Sequence, residues 1–86
     1  MAPYSQLMKA ASAEGALSGK VKELMALSIS IAIRCEDCIL FHLRAALHHG
    51  ASRDEVVESI SVAVEMGGGP SVVYGGRALA ALDEMS

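Results

Sequence analysis

The chain has 86 residues, 52% of them hydrophobic, with a mean hydropathy of +0.39 and a net charge of −3. A single small domain of this length buries only about 60–65% of its unfolded surface, so this composition excludes a disordered chain, and two cysteines exclude a disulfide-dense secreted scaffold. The absence of a basic patch and of an aromatic stacking set excludes a nucleic-acid partner.

With one Phe, two Tyr and no Trp, the core has to be aliphatic. Something must cover the apolar excess, and a second copy of the same chain is the simplest cover, so a homo-oligomer is expected. The acidic surplus lies in residues 44–86, which hold three basic and six acidic groups.

Taken along the chain, the pattern predicts five helices and no strand. Pro3 suits a first helical turn, and Leu7, Met8 and Ala11 share a face of a helix over about residues 3–13. Gly15 and Gly19 bracket a turn. Ser18 suits the N-cap of a second helix, in which Leu24, Leu27 and Ile31 recur at helical spacing. Its apolar run, Leu24 to Ile33, has ten residues and contains Ser28 and Ser30. A bilayer needs about 20, so no membrane partner is expected. The N-terminus lacks the charged start and apolar core of a signal peptide, which makes the reducing cytoplasm the expected compartment.

The third helix spans about residues 36–49. Gly50 stands at the usual C-terminal glycine position, and His48 and His49 lie near the negative dipole end. Ser52 and Glu55 fit a capping box that opens the fourth helix, with Val56, Ile60, Ala63 and Val64 on one face. Gly67-Gly68-Gly69-Pro70 breaks it. The fifth helix spans about residues 71–85 and carries Gly75 and Gly76, which cost about 1 kcal/mol each in propensity unless another helix approaches closely there. The expected fold is one all-α domain over residues 1–86 that associates with copies of itself.

The dense cluster of reactive side chains is Cys35-Glu36-Asp37-Cys38, followed by His42. Two cysteines three apart at a helix start lie within reach of a disulfide. The unsatisfied N–H groups there favour thiolate, and His42 shares a helical face with Cys38, where it can take the thiol proton. Glu36 and Asp37 act in the opposite sense, raising the thiol pKa. Two other readings stay open on the residues alone. The cysteines could be two small buried hydrophobes. They could also join His42 on zinc, with a fourth ligand from Glu23, His48 or His49. Glu23, read by itself, is a solvated carboxylate near a helix start. The glycine run 67–69 is no phosphate loop, since no Lys-Ser/Thr follows it.

The series Gly15-Ala16-Leu17, Lys20-x-Lys22-Glu23-Leu24-x-Ala26-Leu27, Cys35-x-x-Cys38-x-x-x-His42, Ala46 and Gly50-Ala51-Ser52 resembles the carboxymuconolactone decarboxylase superfamily, in its AhpD-like alkyl hydroperoxidase branch. Asp54-Glu55-x-x-Glu58, the break at Gly67-Gly68-Gly69-Pro70 and Ala78-Leu79 extend the likeness over roughly residues 4–83. The resemblance implies an all-helical oligomer, trimeric or hexameric, with dithiol peroxidase or disulfide reductase activity. By the same resemblance Cys38 attacks the peroxide, Cys35 resolves it as a disulfide, and Glu23 with His42 relays protons. The implied partners are a small hydroperoxide or disulfide and a thiol reductant, with no cofactor and no metal. A lactone-decarboxylating enzyme acting on a small acidic substrate, and a non-enzymatic oligomeric binding protein, are the alternatives. Asp37 departs from the best-known AhpD proteins, which carry His directly before the second cysteine.

Simple helix geometry separates the two relay residues. In a straight antiparallel hairpin Glu23 lies about 18 Å below the turn and His42 about 10 Å beyond Cys35, at 1.5 Å per residue. They are expected to meet only if the helices cross steeply or if Glu23 comes from another subunit.

Overall fold

The computed structural model describes residues 2–85. The order is α1 (Ala2–Ser12), α2 (Gly19–Ala32), α3 (Glu36–His48), α4 (Arg53–Gly67) and α5 (Gly69–Met85). No strand occurs among the described residues. Ser18 caps α2 by accepting the Val21 N–H at 3.1 Å. The predicted capping box opens α4: Ser52 Oγ accepts from Glu55 N at 3.1 Å, and Glu55 Oε1 accepts from Ser52 N at 2.8 Å.

That box is also an ion-pair anchor. Lys20 Nζ from the start of α2 reaches Glu55 Oε2 at 2.9 Å. The Ser52 backbone N–H, and next the Lys20 ammonium, hold the Glu55 carboxyl below its ordinary value. A carboxylate depressed in this way stabilises the fold above the ordinary carboxylate range, and the contribution is lost as the pH falls through the depressed value. Ser52→Ala removes the cap and should cost about 1 kcal/mol, read as a lower urea midpoint at neutral pH with an unchanged slope.

Helix α2 is central. Leu27 and Ile31 are fully buried, and they pack with Ile39 and Leu43 of α3, Val56 and Ile60 of α4, and Ala78 and Leu82 of α5. Ser28, polar within the apolar run, donates to the Ser59 carbonyl at 2.8 Å and ties α2 to α4. The fifth helix starts two residues earlier than the glycine–proline run suggests. Pro70 falls in the first turn, where its missing N–H is not needed. Only Gly68 stands between α4 and α5, at φ 72° and ψ −150°, a region that side chains exclude. Of the two glycines inside α5, Gly75 meets the expectation of close approach: a Cβ there would lie 3.1 Å from Ile60 Cγ2. Gly76 faces open space, so its helix cost is not offset by packing.

Helix α1 contributes nothing to this core, for none of its described residues is buried. Apolar residues also line the outside. Val21, Met25 and Ile29 of α2 and its C-cap Ile33 recur every fourth residue and are 37–63% exposed, with Val62 and Met66 of α4 exposed as well. No helix among the described residues is long and apolar enough to cross a membrane.

Candidate active site

The corner between α2 and α3 places the cysteines. Helix α2 ends in a Schellman pattern: Arg34 N–H donates to the Ile31 carbonyl, and Cys35 N–H to the Ser30 carbonyl at 3.0 Å. The left-handed position of this pattern is usually Gly, but here it is Arg34, at φ 61°. A side chain in that region costs on the order of 1–2 kcal/mol. Cys35 is thus the second residue beyond the α2 C-cap, Ile33, and, at the same time, the N-cap of α3. Its Sγ accepts the Cys38 N–H at 3.3 Å. The two sulfurs are bonded to each other, with Cα atoms 5.2 Å apart. Both cysteines are half-buried, at the edge of the core rather than inside it.

One turn further along α3, His42 Nδ1 lies 2.6 Å from Glu23 Oε1 within the same chain. The expected separation of these residues is therefore corrected. Helix α2 stops at Ala32, so residues 33–35 turn the corner and add no rise. Glu23 then lies nine residues from the end of its helix, about 13–14 Å, and His42 six residues into α3, about 9 Å. The two side chains span the remaining offset. The reading of Glu23 as a solvated carboxylate is also corrected: the residue is only 7% exposed and faces α3. With Nδ1–H donated to Glu23, the neutral ring keeps Nε2 as an acceptor. Phe41 meets the His42 ring edge-on, centroids 5.0 Å apart.

The family model for carboxymuconolactone decarboxylases matches residues 1–84. The chain belongs to the carboxymuconolactone decarboxylase family. It is 41% identical over 86 residues to an uncharacterized protein of Cupriavidus necator, covering all of this chain and 76% of that one. Among solved structures, a family member from Legionella pneumophila superposes with a TM-score of 0.93 at 43% identity, over 98% of this chain and 75% of that one. A family member from Thermotoga maritima, for which a part in the antioxidative response has been suggested, gives 0.92 at 36% identity, over 98% and 87% of the two chains.

Within this family fold, four residues named from sequence come together as two bonded pairs, Cys35–Cys38 and Glu23–His42. His48 and His49 do not join them; they are exposed at the other end of α3. Among the described residues no group of three or more His, Cys, Asp or Glu side chains is arranged to hold a metal ion. Sequence reasoning missed two features. Arg77 of α5 pairs with Glu36 between the cysteines and lies over the Tyr74 ring at 4.7 Å, which offsets one of the two carboxylates beside the thiols. A cavity of about 480 Å³ opens between α1, α2 and α3, with Glu23 and His42 in its wall. Neither has a local signal, because Arg77 is 41 residues from Glu36 and the cavity needs α1 in place.

Proposed function

We propose that this chain is a dithiol peroxidase or disulfide reductase of the AhpD-like branch, with Cys38 as nucleophile, Cys35 as resolving thiol and His42–Glu23 as proton relay. The observation that carries this reading is the Cys35–Cys38 pair at the start of α3, one turn from a histidine whose ring is held by a buried carboxylate. His42 takes the Cys38 proton through Nε2. The thiolate attacks the distal peroxide oxygen; an S–O bond forms, the O–O bond breaks, and the alkoxide leaves as an alcohol by taking the relayed proton. Cys35 then attacks the Cys38 sulfenic acid, the S–S bond forms, and water leaves. The sulfurs have lost the two electrons that the peroxide gained. An external thiol reductant restores them by exchange, and that exchange run on a disulfide substrate is the reductase reaction. The role suggested for the Thermotoga maritima relative supports the same reading. A cytoplasmic location goes with it, because a reducing compartment returns the pair to the dithiol.

Thiol titration tests the reading. One stoichiometric pulse of hydroperoxide on the reduced protein should remove two thiols per chain; thiols that stay accessible and unreacted overturn it.

The proposal includes self-association as a trimer or hexamer, supported by the exposed stripe Val21, Met25, Ile29 and Ile33. Light scattering should give a mass well above the monomer's 8.9 kDa at micromolar concentration. A stable monomer there is the contrary result.

A further inference from the structure

The cavity beside the Glu23–His42 pair carries a charge opposite to that of the chain. The protein as a whole is at −3, yet the cavity wall holds two ammonium groups, Lys9 of α1 and Lys22 of α2, against one carboxylate, Glu23. That carboxylate is already engaged by His42. Lys22 Nζ donates one hydrogen bond, to the Ala13 carbonyl at 2.7 Å, and keeps two N–H groups. The Lys9 ammonium makes no hydrogen bond or ion pair among the described residues. Tyr4, Met8 and Phe41 line the same cavity. These three are 44–57% exposed, so core packing does not account for them. The volume, about 480 Å³, lies in the small-molecule range of roughly 300–1,000 Å³.

We propose that this cavity binds an aliphatic carboxylate, and that the preferred peroxide is one bearing an acid group. The carboxylate sits at Lys9 and Lys22 through charge-assisted hydrogen bonds. The hydrocarbon lies along Met8, Tyr4 and Phe41, with the reactive end toward His42. The turnover half of this proposal rests on the peroxidase reading; the binding half does not.

The disulfide form, which cannot turn over, isolates binding. Decanoate and decanol are titrated into it while the Met8 methyl and Phe41 ring signals are followed by NMR. Decanoate should shift both residues and bind at least about tenfold tighter than decanol, the worth of one charge-assisted hydrogen bond. Lys9→Met should weaken that preference, and Lys9→Met with Lys22→Met should erase it. The single variant decides the matter if the double one does not fold, since the Lys9 ammonium holds no hydrogen bond or ion pair among the described residues. Equal binding of the two ligands, or no shift at Met8 and Phe41, overturns the proposal. The reduced protein is then given an aliphatic hydroperoxide with a terminal carboxylate, or its methyl ester. Faster oxidation by the acid is expected. If decanoate binds but neither peroxide oxidises the thiols, the peroxidase reading fails and the binding site stands. If both peroxides react equally and decanoate does not bind, the site fails and the peroxidase reading stands.

Discussion

Cys38→Ser should abolish peroxide consumption altogether, whereas Cys35→Ser should consume one equivalent and stop. The first substitution removes the thiol that lies one turn from His42. The second leaves that thiol in place and removes its partner, so Cys38 should remain as a sulfenic acid that a dimedone trap and mass spectrometry can locate. Serine is the right replacement at Cys35. The residue is the N-cap of α3 and its sulfur accepts the Cys38 N–H, a task that a serine hydroxyl performs well. Cys35→Ala would confound loss of the resolving thiol with loss of the cap. Oxidised sulfur found on Cys35 in the Cys38→Ser protein would reverse the assignment.

His42→Ala should slow alkylation of Cys38 by about tenfold or more near pH 7, within the range typical of general acid–base assistance. The difference should shrink at high pH, where the thiol ionises unaided. Glu23→Gln should act in the same direction but less, since the amide oxygen still accepts the Nδ1–H and only the charge is lost. His42→Ala also leaves the buried Glu23 carboxylate without its partner, which costs stability on the order of 1–3 kcal/mol. His42→Gln separates the two effects: it offers Glu23 an amide donor and provides no base. Its alkylation profile should follow His42→Ala while its urea midpoint recovers. An unchanged pH profile in His42→Ala would mean that the histidine only packs, and that no relay operates.

Most of the helical frame is legible in the sequence because its boundaries are written in short-range chemistry. Ser18, Ser52 with Glu55, and Gly50 each act within one helical turn. The end of α2 is different. No glycine marks it; Arg34 takes the left-handed position against its own preference, and the chain therefore turns about three residues sooner than a helix count to Cys35 assumes. This earlier turn shortens the axial offset between Glu23 and His42. The pairing of Cys35 with Cys38 could be anticipated from spacing, and the pairing of Glu23 with His42 could not. It depends on how α3 lies against α2, a matter of core packing around Leu27, Ile31 and Leu43. Gly75 and Gly76 read alike in sequence, yet only Gly75 lies against α4, a distinction that belongs to tertiary structure. The Arg77–Glu36 pair and the cationic cavity wall join residues far apart in the chain.

The double duty of Cys35 joins electron affinity to folding. Its backbone N–H closes the end of α2 and its sulfur begins α3, so the dithiol and the disulfide support the same corner with unequal acceptors. In a closed thermodynamic cycle, the difference in folding stability between the two forms equals the gap between the folded and unfolded reduction potentials. Any substitution that strains this corner more in one form than in the other, at Arg34 for instance, must move the potential by the same free energy. Which reductants can recharge the pair is thus set in part by how a helix begins, and not by neighbouring charges alone.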